Sequence, residues 1–120
     1  MYDHIGLRVK DIEASKKFYA ALLAPLGYGL ENDGEGYAGF GRKGAPALWL
    51  HSTSMKTGLG GHIAFKAADR KAVDDFHKAG LKAGGQDNGA PGVRTDYSPK
   101  YYAAFVIDAD GNNLEAVCQK

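Results

Sequence analysis

Two histidines and a glutamate offer the sequence's most pointed chemistry. His4 stands in "DHIGLRVKD" (3–11), His62 in "GHIAFKAAD" (61–69) and Glu115 in "NNLEAVCQ" (112–119). Each lies in a segment that alternates apolar and other residues, as a half-buried strand does. Ile5, Leu7 and Val9 fall opposite His4, Gly6 and Arg8; Ile63 and Phe65 fall opposite His62, Ala64 and Lys66. In the last segment Leu114, Ala116 and Cys118 fall opposite Asn113, Glu115 and Val117. Three potential ligands therefore point away from the apolar faces of three strands. Two imidazoles and a carboxylate suit Fe²⁺, Mn²⁺, Zn²⁺, Co²⁺ or Ni²⁺, and they leave coordination positions open for substrate or water. A lone histidine on a strand is ordinarily solvated or structural, so the weight rests on what brings two of them to equivalent places.

That reason is an internal repeat. At an offset of 58, eight identities fall without a gap: His4/His62, Ile5/Ile63, Asp11/Asp69, Ala14/Ala72, Phe18/Phe76, Ala21/Ala79, Leu23/Leu81 and Gly27/Gly85. Each half begins with a strand and continues into a helix. Asp11 and Asp69 suit the helix N-caps, where a carboxylate accepts the free amide hydrogens of the first turn. Phe18, Tyr19, Leu22, Leu23 and Leu26 recur at helical spacing; Val73, Phe76, Gly80 and Leu81 do so more sparsely. "APLGYG" (24–29) and "KAGGQDNG" (82–89) end the helices with Pro and Gly. Three short strands are expected after each helix, near 28–32, 36–41 and 46–51, then around 92–96, 101–107 and 113–118. "DADGNN" (108–113) is the turn between the last two; it lacks the glycine and glutamate spacing of a calcium loop. The expected fold is α+β. Two βαβββ modules, about 1–55 and about 60–120, form one domain over 1–120, with "STSMKTGLGG" (52–61) joining them.

Other side chains are expected near the ligand face. Period two places Arg8 and Lys66 there, where a cation could meet an anionic substrate group or simply sit in solvent. Phe105 and Ile107 read as core residues and share parity with Tyr101. On that reading Tyr102 faces the cavity, as a proton donor or a substrate hydrogen bond, or else packs as an edge aromatic. The polar segment with Arg94, Asp96, Tyr97 and Lys100 is expected to border the pocket. Lys16 and Lys17 match Asp74 and Asp75 in the repeat with opposite sign, a pairing that could join helices across a dimer, although solvated faces are the ordinary case.

The chain resembles the vicinal oxygen chelate superfamily, which includes glyoxalase I, bleomycin-resistance proteins, fosfomycin-resistance enzymes and extradiol dioxygenases. "DHIGLRVKDIEASKKFY", "GHIAFKAADRKAVDDFH" and the terminal "YYAAFVIDADGNNLEAV" carry the resemblance, which covers essentially the whole chain. It implies two βαβββ modules in a cupped mixed sheet around a divalent metal, which stabilises an oxyanion or enolate of a substrate bound through two adjacent oxygens. It implies His4, His62 and Glu115 as metal ligands. Aligning "ALWL" (47–50) with "NLEA" (113–116) puts Trp49 at the fourth ligand position, where an indole, a donor only, cannot ligate. Trp49 then reads as a pocket wall or a core aromatic, and His51, two residues along the same strand face, as a replacement ligand, a base or a structural or solvated side chain. The expected function is that of a glyoxalase-type lyase or isomerase, or a ring-cleaving dioxygenase, on a small oxygenated molecule. The alternative is a metal-free protein of the bleomycin-resistance type that sequesters a planar ligand against Trp49.

Composition narrows the partners. A formal net charge of +1 gives no electrostatic reason for nucleic acid or an anionic membrane surface. No apolar run approaches the roughly 20 residues that span a bilayer, and the strand pattern at the N-terminus leaves no signal-peptide pattern. Cys118 is the single cysteine, which fits a reducing cytoplasm. A small-molecule substrate and a homodimer are expected, with the site formed within one chain or by modules exchanged across a two-fold axis.

Overall fold

The computed structural model describes residues 1–57 and 61–120, so part of the expected connection at 52–61 lies outside the described residues. The first module comprises β1 (Ile5–Val9), α1 (Ile12–Leu23), β2 (Gly29–Gly34), β3 (Tyr37–Arg42) and β4 (Ala45–Ser52). The second comprises β5 (His62–Lys66), α2 (Arg70–Lys82), β6 (Gln86–Val93), β7 (Tyr102–Ile107) and β8 (Asn113–Cys118). Each module forms its own four-stranded mixed sheet, ordered β1-β4-β3-β2 and β5-β8-β7-β6. In both, the first strand runs parallel to the last and the remaining neighbours are antiparallel. This is the α+β, two-module architecture that the repeat implies.

The caps fall where the sequence puts them. The Asp11 carboxylate accepts the Ala14 amide hydrogen at 3.0 Å, and that of Asp69 accepts the Ala72 amide hydrogen at 2.8 Å. Past α1 the chain makes a single 3-10 turn over Ala24–Leu26, closed by Gly27 at φ 84°, a left-handed conformation that glycine adopts without a Cβ clash. Phe18, Tyr19, Leu22 and Leu23 of α1 and Val73 and Phe76 of α2 join Val9, Phe40, Leu50, Val106 and Leu114 in one core. The helices touch at Gly80, where an added Cβ would lie 2.8 Å from Leu22 Cδ1. Among the described residues no helix is long and apolar enough to cross a membrane.

Two expectations change. The strand after α2 occupies 86–93 rather than 92–96. Gly89, Pro91 and Gly92 look like breakers, but β6 is an edge strand whose pairing with β7 slips between Asp87 and Gly89 and again between Gly89 and Gly92. An edge strand tolerates a proline and such irregularities because one side needs no partner. The parity of β7 is also reversed. Ala104 and Val106 are buried in the core, whereas Phe105 and Ile107 are only half-buried on the opposite face.

The turn at 108–113 does more than reverse the chain. The Asp108 carboxylate is buried and accepts four hydrogen bonds: from the Tyr19 hydroxyl at 2.5 Å, the Asp110 and Asn112 amides at 2.9 and 2.8 Å, and Asn112 Nδ2 at 3.0 Å. Asp110 accepts from the Lys10 amide and the Thr57 hydroxyl. A turn of the second module is thereby fastened to the first. Burial, then the adjacent Asp108 charge, pushes the Tyr19 hydroxyl far above its ordinary range, so Tyr19 acts only as a donor.

Candidate functional site

The strand registers bring the repeat into spatial correspondence. Gly6 pairs with Trp49, and Trp49 with Gly39; Ala64 pairs with Glu115, and Glu115 with Phe105. Since Gly6 and Ala64 are repeat partners, Trp49 occupies in the first module the place that Glu115 occupies in the second. These residues lie on the sheet faces turned away from the helices, because their strand neighbours Leu48, Leu50, Leu114 and Ala116 fill the core.

On the second module two of the three expected ligands meet. His62 Nε2 lies 2.9 Å from Glu115 Oε2. The ring's other nitrogen, Nδ1, lies 3.0 Å from the Asn113 carbonyl oxygen, to which it donates, and this fixes the imidazole with Nε2 toward the carboxylate. Phe105 stacks beside the imidazole, with ring centroids 6.3 Å apart and planes inclined by 23°. The Glu115 side chain is 4 % exposed, that of His62 45 %. The other carboxylate oxygen, Oε1, accepts from the Tyr101 hydroxyl at 2.5 Å. Burial, then the hydrogen bond to Glu115, pushes the Tyr101 hydroxyl up to about 12. Arg94 lies over the Phe105 ring and Tyr97 packs edge-on against Tyr101, so these two residues of the polar segment lie beside the His62–Glu115 pair.

Tyr102 is not at this face. Its hydroxyl donates to Asp74 on α2, and the Arg70 guanidinium lies over its ring. The expectation that it faces the cavity is corrected: Tyr101 shares its face with Phe105 and Glu115, and Tyr102 shares its face with the core. The lysine–aspartate match between the helices is spent locally as well. Lys16 bonds to Glu13 and Asp33, and Asp75 bonds to Lys71.

On the first module His4 precedes β1, with Nδ1 2.7 Å from Asp3 Oδ1 and a side chain 59 % exposed. Among the described residues no three His, Cys, Asp or Glu side chains gather as a metal site, so within one chain His4 does not join His62 and Glu115. Arg8 and His51 are exposed cross-strand partners, and with Gly6 and Leu7 they line a cavity of about 410 Å³. Lys66 stands elsewhere, with Arg42 in the lining of an apolar cleft of about 380 Å³ between the modules.

Trp49 is half-buried and lies flat across Gly39. A Cβ on Gly39 would come within 2.7 Å of the indole, so only glycine leaves room for it. Tyr37 flanks the ring at 6.3 Å. The modules thus exchange parts. In the second, the last strand carries the carboxylate and the neighbouring strand the ring, Phe105. In the first, the last strand carries the ring and the neighbouring strand has the glycine beneath it.

Comparison with known proteins agrees with this architecture. The family described as the Glyoxalase/Bleomycin resistance protein/Dioxygenase superfamily matches residues 2–116. A glyoxalase/bleomycin resistance protein from Albidiferax ferrireducens T118 is similar over 98 % of both chains, with 33 % identity and a TM-score of 0.85. The V278E mutant of glyoxalase I from Zea mays is similar over 99 % of this chain and 44 % of its own, with 25 % identity and a TM-score of 0.74. A putative glyoxalase from Bacillus halodurans has 24 % identity and a TM-score of 0.73, covering 98 % of this chain and 94 % of its own. No curated protein matches the chain.

Proposed function

Because the chain belongs to the Glyoxalase/Bleomycin resistance protein/Dioxygenase superfamily, we propose that it is a metal-dependent enzyme of the lyase, isomerase or dioxygenase type. Its substrate is a small oxygenated molecule chelated through two adjacent oxygens. The observation that carries this reading is the His62–Glu115 pair, an imidazole nitrogen and a buried carboxylate oxygen 2.9 Å apart, each oriented by a further hydrogen bond. The donor set fits a divalent Fe, Mn, Zn, Ni or Co ion. His62 Nε2 and Glu115 Oε2 would hold such an ion, which would supply Lewis-acid chemistry there.

His4 completes the ligand set from a second copy of the chain. β1 and β5 each pair on one side only, and each carries one expected histidine at or just before its start. A two-fold dimer that sets the first module of one copy against the second module of the other brings His4 to His62 and Glu115. When bound, the ion polarises the substrate oxygens and stabilises negative charge that develops on them. Trp49 and Tyr37 form one wall of the site. Arg8 holds an anionic group of the substrate, and His51 beside it moves a proton.

The test is elemental analysis of the wild type and Glu115→Ala, purified without chelator or affinity tag. Stoichiometric metal in the wild type and none in the variant is expected. A wild type that holds none and takes none up on addition overturns the proposal. Iron would favour dioxygenase chemistry; nickel, zinc or manganese would favour a lyase or isomerase.

The indole lying open across Gly39 favours one second reading, a metal-free protein that sequesters a planar molecule by stacking on Trp49. Planar aromatic compounds then quench the fluorescence of Trp49, the sole tryptophan, in both wild type and Glu115→Ala. Gly39→Val, which lifts the indole from its seat, weakens that quenching and shifts the emission to the red. A panel of such compounds that leaves the emission unchanged overturns this reading.

A further inference from the structure

We infer that Tyr101 is a positioning residue for Glu115, holding Oε1 so that the carboxylate meets a divalent ion through Oε2 alone. The inference rests on the metal-dependent reading and deepens it. Three observations carry it. The Glu115 oxygens are divided between partners, Oε1 to the Tyr101 hydroxyl and Oε2 to His62 Nε2. The carboxylate is almost wholly enclosed, so no bulk water competes for Oε1. Tyr101 is itself braced: the Tyr97 ring packs edge-on against it at 5.0 Å, its carbonyl accepts the Arg94 amide hydrogen at 2.7 Å, and its own amide donates to the Ser98 carbonyl at 3.3 Å. The loop between β6 and β7 thus presents one hydroxyl to one carboxylate oxygen.

A carboxylate free at both oxygens can chelate a cation with both or swing between them. With Oε1 occupied by a strong donor, Oε2 remains as the single coordinating atom, and its direction is set by the tyrosine. The consequence is an additional open position on the ion, in a site where Trp49 already withholds a fourth protein ligand. That leaves room for both oxygens of a chelating substrate. Loss of an outer partner of this kind ordinarily weakens metal binding about 10–100-fold.

The experiment is a titration with Co²⁺, followed by calorimetry and by the visible absorption of the bound ion, on the wild type, Tyr101→Phe and Tyr102→Phe. Tyr101→Phe keeps the ring against Tyr97 and removes only the hydroxyl. It is expected to bind Co²⁺ about 10–100-fold more weakly, with a less intense visible band as the freed Oε1 raises the coordination number. Tyr102→Phe, whose hydroxyl serves Asp74 on the helix side, is expected to match the wild type in both. If the wild type binds Co²⁺ and Tyr101→Phe matches it in affinity and spectrum, the inference fails while the metal-dependent reading stands. If the wild type binds no Co²⁺, both fail.

Discussion

Replacing Asp108 with alanine is expected to destabilise the protein by about 3–5 kcal/mol, the cost of leaving several buried donors without their acceptor. The carboxylate accepts four hydrogen bonds in a position almost closed to water. Its removal strands the Tyr19 hydroxyl, two backbone amides and the Asn112 side chain; each buried donor left unpaired costs about 1–3 kcal/mol, reduced where local relaxation admits water. Tyr19→Phe removes one donor and leaves Asp108 three others, so a smaller loss, about 1.5–3 kcal/mol, is expected. Asp108→Ala should lower the melting temperature by roughly 10–20 °C in a domain of this size. Urea unfolding of the two variants beside the wild type checks the order and the sizes. A loss below about 1 kcal/mol for Asp108→Ala would mean that solvent satisfies the stranded donors. The effect reaches the site as well, because the same turn sets where β8, and with it Glu115, begins.

The second large effect is a gain. Trp49→Glu places a carboxylate at the register position equivalent to Glu115, as the pairs Gly6–Trp49 and Ala64–Glu115 define it. On the proposed dimer this supplies a fourth ligand. A charged interaction of this kind contributes about 1.5–3 kcal/mol, so Mn²⁺ or Co²⁺ binding should tighten about 10–100-fold. The single substitution uncovers Gly39. The double variant Trp49→Glu/Gly39→Phe copies the Glu115/Phe105 arrangement of the second module, and it should retain the gain while restoring an aromatic ring to the face. Calorimetric titration of the three proteins measures this. Unchanged affinity in both variants would place Trp49 away from the ion and remove the proposed pairing of modules between copies.

How much of this was legible beforehand differs from residue to residue. The repeat, the helix caps and the faces of β1 and β5 follow from local rules, whereas the matching of Trp49 with Glu115 comes from the family resemblance. A strand's period, a carboxylate before a helix and an identity at fixed offset need no knowledge of distant parts. Tyr101 was within reach. Once Glu115 is assigned to the open face, antiparallel pairing across the turn puts Phe105 beside it and Tyr101 on the same side, whereas reading hydrophobicity alone sent Phe105 to the core. An aromatic ring that stacks on His62 looks in sequence like any buried phenylalanine. The limits of β6 were harder, since an edge strand with two slips in register presents the residues of a loop.

By itself, then, the sequence determined the two-module fold, the equivalence of its halves and the residue types that could hold a cation, because each depends on short-range periodicity and on the repeat. Only the tertiary structure decided that His62 and Glu115 meet while His4 stands apart, that Tyr101 rather than Tyr102 reaches the carboxylate, and that Asp108 binds the modules together. Those outcomes depend on strand register and on how one module seats against the other. Both are set by packing between residues far apart in the chain, which no local pattern records.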